Sequence, residues 1–256
     1  MVLNFFMKNI KMIKRKYFAA FALTALAVAS SQAANINVTV LNLTGGTYFT
    51  PLFAAAHPPS VKLFTLGAPA SPEMRSICEV GIFDPMATLV KAAGAQTAEN
   101  FNTGPLLPAT LSKSFDMVTT AANTQLSFAT MLIPTNDGFT ALDSWTIPSA
   151  PGTYTMFLNA YDCGTEANNE LINLTMGTVV NVPGIPADPG GKGGKGTGGT
   201  GVVPSTPNDQ EPNVIHIHPG IVGSINPKGP GPHASELDFR VHRWLNPVAR
   251  VTVIVK

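Results

Sequence analysis

Period-two alternation constrains this chain more than any other feature. Residues 35–43 read NINVTVLNL, with Ile36, Val38 and Val40 on one side and Asn or Thr between them. Apolar residues at every second position describe a strand with one face in a core and the other in water. Comparable stretches lie at 61–66, 114–120, 125–133, 154–161, 178–182, 237–244 and 248–255. About eight short strands with turn-rich connections predict an all-β antiparallel sandwich. Helical character is confined to 72–79 and 84–93, each short and opened by Pro or Asp.

Charge narrows the function classes. The chain is 45% hydrophobic and 12% charged with a formal charge of +1. It is too apolar to be disordered throughout and lacks the basic surface that nucleic acid demands. Its cations are unevenly placed: Lys8, Lys11, Lys14, Arg15 and Lys16 precede an apolar run over 17–29, and Ser31-Gln32-Ala33 offers small residues before a cut. This pattern is a secretory signal peptide over 1–33, because the run is too short to span a bilayer. Its removal takes five of the 16 Lys and Arg and none of the 15 acids, leaving 11 against 15. The mature chain, 34–256, is therefore acidic, with no membrane span, and is expected to be secreted or periplasmic.

An oxidising compartment makes a disulfide between Cys78 and Cys163 the default expectation. Residues 184–210, dominated by Gly and Pro, have little to bury and read as a flexible insertion. Their GGKGGKGTGGT lacks the spacing of a phosphate-binding loop.

Between Lys113 and Lys192 there is no Lys or Arg, while Asp116, Asp137, Asp143, Asp162, Glu166, Glu170 and Asp188 all fall there. Surfaces built for solubility mix both signs, so a bound cation is one way to balance this window. Asp116 interrupts SFDMVTT, Asp137 follows the strand LSFATMLI, and Asp162 ends TMFLNAY. Hard oxygen ligands favour Ca²⁺ or Mg²⁺ over zinc. Equally, Asp137 and Asp162 read as turn residues whose carboxylates accept from the following amides.

A family resemblance is carried by MLIPTNDGF (131–139), Asp143-Ser144, YDCGTE (161–166) and NPVARVTV (246–253). Leu43-Thr44-Gly45-Gly46, Phe49-Thr50-Pro51 and Ala56-His57 add to it near the start. In this order they resemble the spondin N-terminal domain family, including its bacterial members. The resemblance implies an all-β, C2-like antiparallel β-sandwich of about eight strands with one or two short helices. It also implies Ca²⁺ held by three acidic side chains, carried over to Asp116, Asp137 and Asp162. Asp116 stands where the family has a glutamate, and Asp143 and Glu166 are reserve ligands. Cys163 replaces the usual alanine of its turn, which adds support for pairing with Cys78.

Enzymatic chemistry finds little footing. There is no GxSxG or HExxH motif, and Ser224 and His233 lie in a Gly/Pro-rich connection without triad context. His216 and His218 alternate onto one strand face, where a polar surface role is expected ahead of metal ligation. Arg240, His242, Arg243 and Arg250 gather near the C-terminus and are expected to form salt bridges on solvated faces rather than a polyanion site. Sequons at Asn37, Asn42 and Asn173 would matter only in a eukaryotic secretory route. The expected function is a calcium-binding, non-enzymatic binding or adhesion module at the envelope or outside the cell, with a protein or glycan partner. The alternatives are a calcium-dependent lipid-binding C2-like module and a secreted metal-dependent hydrolase.

Overall fold

The computed structural model describes residues 33–166, 168, 170, 213–223, 235 and 237–256. The expected leader up to residue 32, the strand at 178–182 and the insertion at 184–210 lie outside them. In chain order the elements are β1 (Asn35–Asn42), β2 (Tyr48–Phe49), β3 (Phe53–His57), α1 (Pro72–Val80), α2 (Asp84–Ala92), β4 (Gln96–Glu99) and β5 (Phe115–Val118). There follow β6 (Gln125–Ile133), β7 (Gly138–Thr146), β8 (Gly152–Leu158), β9 (Ala160–Asp162), β10 (His216–Ile217), α3 (Phe239–His242) and β11 (Ala249–Val255).

Two antiparallel sheets form an all-β sandwich. The first has strand order β5-β1-β11-β8, and the second runs β10-β9-β7-β6-β3-β4, with β2 also on β6. In the first sheet Val38 faces Val253 and Val40 faces Val251 across β1 and β11. Those valines, with Ile36 and Val255, meet Ala54, Leu126, Phe128 and Leu132 of the second sheet in one core. The alternation in β1 thus has the cause its sequence implies: one face buried, one wet.

The second sheet is covered on both faces. Its outer side, with Phe53, Ala55, Ala129 and Phe139, packs against Met74 and Ile77 of α1 and Met86 and Val90 of α2. This explains the nearly continuous burial of β3 and β6, whose residues have no wet face to present. Helix α1 is fixed locally: the Ser71 hydroxyl accepts from the Met74 amide at 3.2 Å, Pro72 opens the first turn, and Gly81 ends the helix at φ 70°.

Four strands escape the alternation test, the two-residue β2 among them, and two predicted ones are absent. FAAAH in β3 has no polar alternate, and β7 loses phase where its register with β6 shifts between Leu126 and Phe128. β4 is only four residues long and borders the sheet. Residues 61–66 form a connection whose Leu63 is buried and whose amide donates to Asp143 at 2.7 Å. Residues 237–244 contain helix α3 instead of a strand, because the Asp238 carboxylate caps it by accepting from the Arg240 amide at 2.9 Å.

Candidate functional site

The turn at 134–137 connects β6 to β7 and delivers Asp137 to the start of β7. Thr135 shapes it, its hydroxyl donating to the Leu132 carbonyl at 2.6 Å and accepting from the Gly138 amide at 2.9 Å. Glycine is required next, since a Cβ at 138 would stand 3.0 Å from the His218 ring and closer still to the Thr135 hydroxyl. Gly138 lies opposite Asp162 in the β7–β9 register, so Asp137 and Asp162 converge. Both are fully buried.

The loop after β9 wraps this pair. One Asp137 oxygen, Oδ2, accepts from the Thr165 amide at 2.7 Å, the Thr165 hydroxyl at 3.0 Å and the Glu166 amide at 3.0 Å. The other, Oδ1, is buried with no hydrogen-bond partner among the described residues. Asp162 accepts from the Gly164 amide at 2.7 Å through Oδ1 and from the Asn168 side-chain amide at 2.6 Å through Oδ2. Burial, then the nearby Asp162 charge, push the Asp137 carboxyl up to about 8 against the pull of the Thr165 and Glu166 hydrogen bonds.

Strand β10 adds two imidazoles. His216 pairs with Asp162 in register, and both His216 Nδ1 and His218 Nε2 stand 4.0 Å from Asp162 oxygens. His218 Nδ1 accepts from the Gly220 amide at 2.9 Å, so in the neutral ring Nε2 carries the proton; it faces the carboxylate from beyond hydrogen-bond distance and, protonated, is not a metal ligand. Burial lowers the His218 pKa in spite of Asp162 and keeps the ring neutral. Trp244 covers that ring with centroids 5.2 Å apart.

The disulfide is present: Cys78 of α1 is bonded to Cys163 with Cα atoms 6.4 Å apart. It anchors the loop that supplies the amides, and Cys163 itself donates to the Asp137 carbonyl at 3.2 Å.

Residues 43–174 match the family described as Spondin_N. The chain belongs to the spondin N-terminal domain family. These domains are extracellular, adhesion-type modules and are non-enzymatic. No curated protein matches the chain.

Of the ligands carried over to this spondin domain, the fold brings Asp137 and Asp162 together and leaves Asp116 apart. Asp116 lies on β5 in the other sheet, 67% exposed at its side chain, with Lys256 Nζ at 2.7 Å and the Asn37 amide at 3.2 Å. Its neighbours Phe115 and Met117 take the inward positions, so strand alternation turns Asp116 outward. Asp143 also lies elsewhere, accepting from the Leu63 amide and, at 3.0 Å, the Ser144 hydroxyl. Glu166 contributes its amide, while burial and the charge of Glu79 raise its carboxyl to about 7. Among the described residues no group of three or more His, Cys, Asp or Glu side chains is arranged to hold a metal ion.

Two carboxylates with one orphaned oxygen fit a hard cation in donor type, and carbonyl or amide oxygens would have to supply the remainder. Thr165 and Asn168 escaped the residue-level reading, although Thr165 belongs to the matched YDCGTE block. A Ser–His contact was also missed: Ser127 and His57 share a 2.7 Å hydrogen bond, with Nδ1 of His57 donating to the Pro58 carbonyl at 2.9 Å. Both side chains are completely buried, so the pair meets no substrate and instead locks β3 to β6.

Proposed function

We propose that this spondin domain is an exported binding or adhesion module, acting at the cell envelope or outside the cell, in which Asp137 and Asp162 hold a calcium ion. The observation that carries the reading is Asp137 Oδ1, buried without a partner beside a second buried carboxylate. A buried oxygen of that kind costs free energy unless a donor or cation meets it. Calcium would relieve the repulsion within the pair and fix the 134–137 and 163–166 turns, pre-forming the loop surface between β6, β7 and β9. The ion's role is structural, consistent with a non-enzymatic family.

The test is thermal unfolding of the mature protein with calcium and with chelator at low ionic strength. A ligand selective for the folded state raises the midpoint by mass action. Identical midpoints would remove calcium from the proposal. Magnesium at the same concentration reports selectivity, since Mg²⁺ demands a near-ideal octahedral shell and gives up its waters reluctantly.

A further inference from the structure

We propose that this spondin domain binds a carboxylate-bearing polysaccharide, of the polyuronate class, on the cleft beside Phe157 and Arg250. The cleft has a volume of about 550 Å³ and lies between residues 62–66, the middle of β7 and the end of β8. It is separate from the carboxylate pair. From the proposed function it takes only that the chain is a binding module.

The first observation is a charge without a partner. Among the described residues Arg75, Lys91, Arg240 and Lys256 each have a carboxylate, and Lys113 holds the Thr103 hydroxyl. Lys62, Arg243 and Arg250 hold none. In Arg250 the Nε is buried and makes no hydrogen bond. Leaving a buried guanidinium N–H unmade is costly in an acidic protein that could have supplied a carboxylate. Nε itself is enclosed, so a ligand meets the terminal nitrogens of this half-buried side chain, and a carboxylate is the matching acceptor because it takes guanidinium donors two at a time.

The second observation is where that arginine stands. Arg250 on β11 is directly opposite Phe157 on β8. Side chains so paired share a sheet face with Cβ atoms about 5 Å apart. Phe157 is 63% exposed and lines the cleft, as do Lys62, Thr65, Asn159 and Tyr161. The exposed ring is a platform on which a pyranose can lay its C–H face. Around it the amide of Asn159 and the hydroxyls of Thr65 and Tyr161 suit sugar hydroxyls, and Lys62 is a second cation for an acidic chain. Asp143 also lines the cleft, but its oxygens already accept from the Leu63 amide and the Ser144 hydroxyl.

These groups favour a saccharide over an acidic peptide. Peptides that add to a sheet edge are held by a run of backbone hydrogen bonds with alternating side-chain pockets. The cleft is bordered by β8, an edge strand, but it presents side-chain donors around one exposed ring, and the poly-glutamate arm below decides between the two.

The experiment measures binding of the mature, disulfide-bonded protein to polygalacturonate, neutral dextran and poly-glutamate in the presence of chelator. The chelator separates this site from calcium binding, so failure here and failure of the calcium titration are distinct results. Binding to polygalacturonate but not dextran is expected, with Arg250→Gln and Phe157→Ala each weakening it by about tenfold or more, as for a lost hydrogen bond to a charged group. Arg243→Gln, which also removes an unpaired cation but one that does not stand opposite Phe157 as Arg250 does, is expected to leave binding unchanged. Circular dichroism and the thermal midpoint verify that each variant is folded. No polygalacturonate binding, equal binding of dextran, or an equal loss in Arg243→Gln would overturn the proposal. Tighter binding of poly-glutamate would overturn it in favour of an acidic peptide.

Discussion

Thr165 donates both its backbone amide and its hydroxyl to one oxygen of Asp137, at 2.7 and 3.0 Å, leaving the other oxygen of that carboxylate unmet. The asymmetry means that the loop after β9 is organised around a single oxygen and the second is reserved.

Asp137→Asn is expected to keep the Thr165 and Glu166 bonds through its carbonyl and to turn its amide toward Asp162. Without calcium at pH 8 the variant should unfold at a higher temperature than the wild type, since it removes one of two buried like charges. Its melting should no longer respond to calcium. A calcium shift equal to that of the wild type would move the ion away from Asp137.

Stability without calcium should fall as pH rises. Asp137 and Glu166 have folded pKa values raised to about 8 and about 7. Groups raised in this way bind their protons more tightly in the folded state. Their contribution is full below the unfolded carboxylate pKa of about 4 and is lost as pH climbs through the folded values. The loss amounts to about 1.4 kcal/mol per pH unit for each proton involved. Urea unfolding in chelator at pH 5 and pH 8 measures it, and a higher midpoint at pH 8 would contradict the burial argument. Saturating calcium should flatten the dependence.

Asp116→Ala should leave both the melting temperature and its calcium response unchanged. The side chain is exposed and paired with Lys256 at the surface, where ion pairs are screened. A lost calcium response would restore Asp116 as a ligand and contradict the fold.

Replacing Cys78 and Cys163 together by Ala opens a cross-link between residues 85 apart. Chain entropy puts the cost at about 4 to 5 kcal/mol, read from the denaturant midpoint. The same variant should bind calcium more weakly, because Cys163 starts the loop that supplies amides to both carboxylates. Unchanged affinity would confine the disulfide to global stability.

Ser127→Ala strips the hydroxyl that His57 Nε2 engages and that accepts from the Ser144 amide at 2.8 Å. The buried His57 ring and the half-buried Ser144 amide lose their partner at once, for an expected cost of about 1 to 3 kcal/mol. A loss below half a kcal/mol would mean that water or another side chain takes the hydroxyl's place.

The strands with one wet face, β1 and β11, were legible because burial writes itself into alternation. β3 was not, since Phe53-Ala54-Ala55-Ala56 sits between two packed layers and shows no period. β7 was obscured by its irregular pairing beside Ser144, which adopts φ 54°. At the site, Asp137 and Asp162 could be read from matched blocks at strand ends. Asp116 falls on β5 of the other sheet, which local pattern does not reveal, and Phe115 and Met117, taking the inward positions, turn it to solvent. His216, His218 and Asn168 depend on where the chain returns after leaving β9, and no local pattern encodes that return.

The position of β11 between β1 and β8 bears on how the chain reaches its fold. Until residues 249–255 are available, β8 has no neighbour in its sheet and β1 has only β5. The pairing that completes this sheet spans almost the full separation from Asn35 to Val255, a long loop to close before any contact rewards it. Assembly of the first sheet therefore waits for its last strand, and a chain emerging N-terminus first stays open along that edge until then.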